Sequence, residues 1–174
     1  MFEELKNSQT RLRVLRTSLA AVAICEAEGI AGGIAAADDQ KDWFPTLQKP
    51  RFNPPSGVFA PVWTLLYALM GISIAAVWRA RDDDAKRAAA NRAIKLFSIQ
   101  LTLNALWSFI FFERHSPKWA FVDIIGILAA LILTIRAINA VSRSAAWLLA
   151  PHLLWSIFAT ILNGAIWRLN PSRG

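Results

Sequence analysis

The sequence predicts an all-α integral membrane protein, a bundle of five transmembrane helices. Of its 174 residues 55% are hydrophobic, and the mean hydropathy is +0.37, which is high for a soluble domain. A helix needs about 20 apolar residues to cross roughly 30 Å of hydrocarbon, and the chain has five such runs, at 16–37, 57–78, 94–112, 119–138 and 145–167. Because only short charged connections remain, we treat 1–174 as a single membrane domain.

The first span begins after Arg11, Arg13 and Arg16. It starts late and is long enough to cross the bilayer, so we expect it to be retained rather than cleaved as a signal peptide. Gly29 and Gly33 form a GxxxG pair, which permits close helix contact. That contact is either packing within one chain or dimerisation.

A proline- and tryptophan-rich segment at about 38–56 connects the first two spans. Five of the eight prolines lie between Trp43 and Trp63. Proline donates no backbone hydrogen bond and pushes the preceding residue out of the helical region, so no regular helix is expected from Pro45 to Pro55. The segment is too aromatic for a solvated linker, and we expect a lid loop over the neighbouring helices.

The positive charge follows membrane topology. The formal net charge is +7, but the basic residues lie at span ends rather than on one face, so no nucleic-acid interface is indicated. Twelve Lys and Arg fall on the side of the N-terminus and seven on the side of the lid. This bias predicts a cytoplasmic N-terminus with the lid opposite. The bacterial cell membrane is expected, with an outer membrane as the alternative.

Several polar and aromatic residues lie inside the spans, where burial is costly. Asn104 and Asn163 are predicted either to bond between helices or to contact a ligand. Asp123 is given a structural role. Trp63, Trp107 and Trp155 lie deeper than an interfacial belt requires, so they either pack in the core or line a cavity for a flat aromatic ligand.

Catalytic and metal-binding patterns are missing from the sequence. There is no glycine-rich phosphate loop, paired-cysteine spacing or serine nucleophile elbow, and the one cysteine, Cys25, excludes an internal disulfide. We therefore expect no required cofactor and no metal site. His152 is a packing residue or, as an alternative, a ligand to haem iron.

Five ordered blocks of residues resemble the translocator protein family, also called the tryptophan-rich sensory protein or peripheral-type benzodiazepine receptor family, in a bacterial form. The short connection at Glu113–Lys118 separates the third block from the fourth. Its length predicts that the third and fourth spans are antiparallel neighbours. The blocks are Trp43, Leu47, Lys49, Pro50, Pro54 and Pro55; Pro61, Val62, Trp63, Tyr67, Met70 and Gly71; Leu103, Asn104, Trp107, Phe111 and Phe112; Trp119, Ala120 and Asp123; and Pro151, Leu153, Trp155, Phe158, Ala159, Leu162 and Asn163.

The resemblance implies a homodimeric membrane receptor or sensor that binds tetrapyrroles (protoporphyrin IX and haem), sterols and synthetic isoquinoline or benzodiazepine-type ligands between its helices. It also implies a part in tetrapyrrole transport or regulation. The implied ligand-binding residues are Trp43, in the lid, with Phe59, Ala60, Trp63, Asn104, Trp107, Trp119, Trp155, Ala159 and Leu162. Two alternatives are light- and oxygen-dependent porphyrin degradation, with Trp63 and Trp155 as the catalytic residues, and sterol or lipid transport.

The chain departs from the family pattern at two places. His152 stands where the resemblance implies a tyrosine, and 163–168 lacks the tyrosine of the proposed cholesterol-recognition motif. Sterol binding is therefore the weaker expectation.

Overall fold

The computed structural model describes residues 2–171, with side chains from residue 8 onward except at residue 35. All regular structure in this part of the chain is helical. Five segments are long and apolar enough to cross a membrane, which confirms the predicted five-helix bundle. They are Ser8–Ile34, Ser56–Asp82, Asp84–Glu113, Pro117–Asn139 and Arg143–Leu169.

Seven α-helices make up these spans and the lid: α1 Phe2–Ala35, α2 Ala37–Asp42, α3 Phe59–Arg79, α4 Asp84–Ser108, α5 Pro117–Asn139, α6 Arg143–Trp147 and α7 Ala150–Leu169. Single 3-10 turns occur at Phe44–Thr46, Ser56–Val58 and Ala80–Asp82, and a π-helical turn extends α4 over Phe109–Glu113.

Three helix boundaries differ from the predicted ones. The first helix starts well before residue 16, because polar residues continue it beyond the apolar run. The third span starts at Asp84, where the Asp83 carboxylate accepts a hydrogen bond from the Ala85 amide at 3.0 Å and caps the helix. The fifth span is broken between α6 and α7, since Pro151 cannot donate the bond that would join them.

The lid segment contains more regular structure than predicted. Helix α2 occupies its start, and a 3-10 turn includes Pro45. From Leu47 to Pro55 no helix forms, in agreement with the effect of the prolines on the backbone.

The helices form a ring in the order α1, α3, α7, α5 and α4, which differs from their order in the chain. The main packing pairs are α1 with α3, α4 with α5 and α5 with α7, and α1 also touches α4. Between α3 and α7, the Trp63 and His152 rings lie 5.9 Å apart. The lid end of the ring is formed by the ends of α1, α4 and α7 and the starts of α3 and α5.

Glycine residues allow α1 and α3 to approach closely. A side chain at Gly71 would collide with the backbone of Val22, and one at Gly29 would collide with the Tyr67 ring. A Cβ at Gly33 would meet no atom within 4 Å. In this chain Gly29 therefore serves packing within the protomer.

We predict that Gly71→Ala lowers the free energy of unfolding by about 1–3 kcal/mol, the usual cost of overpacking. The physical reason is that the Val22 backbone cannot move aside as a flexible side chain would. Gly33→Ala is the matched control, and it should be neutral or slightly stabilising because alanine favours helix. Reversible unfolding in mixed micelles measures both, and equal stability of the two variants would contradict the account.

Candidate ligand-binding site

The lid is fastened to the end of α7 by one asparagine side chain. The Gln48 amide donates to Asn170 Oδ1 at 3.0 Å, and Asn170 Nδ2 donates to the Gln48 carbonyl at 2.9 Å. Asn170 is only 8% exposed, and its Nδ2 also donates to the Ile166 carbonyl at 2.8 Å. These paired bonds fix where the extended part of the lid crosses the bundle.

Aromatic side chains of the lid pack on the end of the third span. The Trp43 ring meets Phe111 edge-on at 5.5 Å, and the Phe44 ring lies 6.3 Å from Phe112. Trp43 also stacks on His115 at 4.4 Å. His115 Nε2 lies 2.7 Å from a carboxylate oxygen of Asp39 in α2. The lid therefore rests on both the third span and the connection that follows it.

The π-helical turn shapes the surface under the lid. The Arg114 amide donates to the Phe109 carbonyl at 3.1 Å, a bond one residue wider than an α-helical one. The wider turn presents both Phe111, which is buried, and Phe112 to Phe44. Single π-turns inside helices often mark functional sites.

Below this surface, one hydrogen-bonded chain joins three helices. Trp107 of α4 stacks on Phe111 at 4.9 Å, and its Nε1 donates to Asn163 Oδ1 of α7 at 2.9 Å. Asn163 Nδ2 in turn donates to the carbonyl of Pro117, the first residue of α5, at 2.8 Å. Of the two roles predicted for Asn163, the structure shows the interhelical one.

Buried polar atoms without a protein partner lie deeper in the bundle. Asn104 is one turn below Trp107 on the same face of α4, and its Nδ2 has no partner among the described residues. Neither amide atom of Gln100, a further turn down, has one. His152 is 1% exposed; its Nδ1 lies 2.8 Å from the Met70 sulfur and its Nε2 is unpartnered in the described chain. Such atoms are rare because each costs about 1–3 kcal/mol.

Most of the predicted lining residues lie together beneath the lid. Trp43, Phe59 and Trp107 pack against one hydrophobic cluster that includes buried Leu162. Trp155 joins this cluster through Phe59, at 6.0 Å between rings. Ala159, one turn along α7 from Trp155, is half-buried.

Three predicted residues lie elsewhere. Trp63 packs against a separate hydrophobic cluster that includes Tyr67 and Met70, and its ring stacks on Tyr67 at 5.3 Å. Ala60 is exposed. Trp119 is 58% exposed and lines a separate outward groove. The structure thus does not bring Trp119 into the cluster beneath the lid.

Sequence reasoning missed the residues that hold the lid. Phe44 and Asn170 carry no signature of their own, since their partners are distant in the chain, and Leu47 belongs to the first block of the resemblance but was not identified as a residue that holds the lid. Phe111 and Phe112 stand out as an aromatic pair, but the π-turn that presents them both is not readable from the residues.

We predict that Asn170→Ala loosens the lid. Loss of two backbone-directed hydrogen bonds, each worth about 1 kcal/mol, should raise the open population at least tenfold. Trypsin cleavage after Arg51, which lies in the extended part of the lid, measures this opening. Asn139→Ala, at the exposed end of α5, is the control and should cleave at the parent rate. Equal cleavage rates for the two variants would show that Asn170 does not hold the lid.

The chain matches known proteins over most of its length. The model of the TspO/MBR family matches residues 21–168. The chain is 39% identical over 150 residues to Tryptophan-rich protein TspO of Chlorobaculum tepidum, covering 86% of this chain and 93% of that protein. It is 40% identical over 159 residues to Tryptophan-rich protein TspO of Archaeoglobus fulgidus, covering 91% and 97%. It is 39% identical over 128 residues to the Translocator protein of Homo sapiens, covering 74% and 75%. The chain therefore belongs to the TspO/MBR family of integral, multi-pass membrane proteins.

Proposed function

We propose that this membrane receptor or sensor binds porphyrins, protoporphyrin IX and haem, between its helices beneath the lid. Family membership supports the receptor or sensor role. The observation that carries the ligand class is the contact of the Trp43 and Trp107 rings with Phe111, together with a buried amide that has an unused N–H, that of Asn104, one turn along α4 from Trp107. A flat macrocycle with polar substituents could stack on the aromatic rings and accept a hydrogen bond from the buried amide.

The aromatic side chains supply the apolar surface for such a ligand. Offset-stacked and edge-to-face ring contacts are each worth about 0.5–1.5 kcal/mol beyond burial. The contacts between Phe59, Trp155 and Phe158 form a second aromatic wall on α3 and α7, with ring separations of 6.0 and 5.3 Å. A planar ring system inserted between the two walls would replace ring-to-ring contacts with equivalent ones.

The buried side-chain amides would orient the ligand by hydrogen bonding. Asn104 Nδ2 and Gln100 Nε2 can donate hydrogen bonds, whereas the surrounding side chains are mostly apolar. A carboxylate or carbonyl on the ligand would satisfy them and remove the cost of leaving them unpaired. Ligand sites of this kind combine apolar walls with a few polar groups that orient the ligand.

The lid controls entry in this proposal. Opening it separates Gln48 from Asn170 and Trp43 from Phe111, while the helices below stay joined through Asn163. The excess of basic residues on the N-terminal side supports a lid on the non-cytoplasmic face. His152 is enclosed by Met70 and Trp63. We therefore give it a packing role and do not propose it as a ligand to haem iron, so haem and metal-free porphyrin would bind in the same way.

Titration with protoporphyrin IX tests the proposal. We expect saturable binding, which is measured by the shift of the porphyrin absorption band. Trp155→Ala should raise the Kd about fivefold or more, because one ring contact worth about 1 kcal/mol is lost. Trp147→Ala removes a tryptophan that is 66% exposed on α6 and should leave the Kd unchanged. Absence of saturation, or equal Kd values for the two variants, would refute the proposal.

A further inference from the structure

An open groove of about 620 Å³ lies on the outside of the bundle, between the π-turn and the start of α5. Phe109, Trp119 and Val122 form its exposed apolar walls. Ile110 lines the groove and also packs against the cluster beneath the lid, so it separates the two sites. The groove is therefore distinct from the proposed porphyrin site.

The groove also holds groups of both charges that are not neutralised by each other. The Arg114 guanidinium lies over the Phe109 ring, 5.5 Å from its centroid, and forms no ion pair within the described part of the chain. Asp123 Oδ2 is buried and has no hydrogen-bond partner there, and the same is true of the Ser116 hydroxyl. A carboxylate oxygen left in this state is expensive, and a cationic donor would satisfy it.

The residues around the groove indicate that it lies at the depth of the lipid headgroups. It lies one to two turns from the end of the fourth span, and Trp119 is exposed there, with Lys118 Nζ 5.7 Å from its ring. Tryptophan and basic residues concentrate at this depth of a bilayer. An exposed apolar stripe of Val122, Ile125 and Leu133 continues from the groove along α5, as acyl chains would.

We infer that this groove binds a phospholipid with an ethanolamine headgroup from the leaflet on the lid side. Arg114, with Ser116, receives the phosphate, and Asp123 accepts hydrogen bonds from the primary ammonium. The first turn of α5, where Pro117 is buried but Lys118 and Trp119 are exposed, adds a positive dipole end near the phosphate. The acyl chains lie on the apolar stripe of α5.

The charge pattern favours this headgroup over the choline and glycerol headgroups. A choline headgroup carries the same charges, but its quaternary ammonium has no N–H to donate to Asp123. A glycerol headgroup has hydroxyl donors but no cation to balance the carboxylate. Only a primary ammonium offers both charge and hydrogen bonds to a buried carboxylate oxygen.

Native mass spectrometry of the full-length protein in detergent tests this inference. The protein is mixed with equimolar dioleoyl phosphatidylethanolamine, phosphatidylcholine and phosphatidylglycerol. We expect ethanolamine lipid to be retained about tenfold over choline lipid, the difference that one charge-assisted hydrogen bond makes. This comparison needs no variant, so it holds even if a substitution impairs folding.

Variants of the groove residues then test which side chain contacts the ammonium and which contacts the phosphate. Asp123→Asn should reduce the ethanolamine-to-choline ratio to about one, since a neutral amide loses the charge assistance. Arg114→Gln should weaken the retention of both lipids. Arg143→Gln, an exposed arginine at the opposite end of the bundle, is the matched control and should behave as the parent. Porphyrin titration of the same variants should be unchanged, which separates this site from the one under the lid.

Three results would overturn the inference. The first is equal retention of the ethanolamine and choline lipids by the parent protein. The second is a preference that survives in Asp123→Asn. The third is efficient crosslinking between two copies through Val122→Cys, in a Cys25→Ser background, because a second protomer would then cover the groove.

Discussion

The packing of the helices at the lid end of the bundle depends on two hydrogen bonds of the Asn163 side chain. Its oxygen accepts the Trp107 indole N–H at 2.9 Å, and its nitrogen donates to the Pro117 carbonyl at 2.8 Å. Because Pro117 is the first residue of α5, this bond ties the start of α5 to α7. One amide therefore sets the relative heights of α4, α5 and α7, and with them the place where Trp107 supports Phe111.

The lid follows from that arrangement. Phe111 can receive Trp43 and Phe44 only because Trp107 stacks beneath it and the π-turn turns it inward. Asn170, seven residues beyond Asn163 and directly after the last residue of α7, then fixes the extended part of the lid at Gln48. Two asparagines, one in α7 and one at its C-terminal cap, thus have separate roles: Asn163 joins the helices, and Asn170 holds the lid. We therefore expect the lid to open without breaking the Asn163 bonds.

The sequence predicted the architecture well because its signals are local and strong. Five apolar runs of spanning length define the spans, and the prolines from Pro50 to Pro55 exclude a helix there. Boundaries were less accurate where polar residues extend a helix, as before residue 16, or where a single proline divides one, as at Pro151. Hydropathy does not register either effect.

The site was predictable only in part, for a physical reason. Trp43, Phe59, Trp107 and Leu162 were identified as a set and lie around one cluster. Trp119 belongs to the same sequence pattern, yet its ring faces outward, since its direction depends on the helical phase of α5 relative to its neighbours. The Gln48–Asn170 pairing joins residues 122 positions apart and has no local signature. Contacts of that kind come only from the assembled fold.

A structure of the protein with bound protoporphyrin IX tests the central claim most directly. We expect the macrocycle between the helices beneath the lid, in contact with Trp107 and Trp155 and with a polar substituent at Asn104. The Asn163 bonds to Trp107 and Pro117 should be preserved. A porphyrin bound on the outer surface, in the groove beside Trp119 or against α1, would contradict the account.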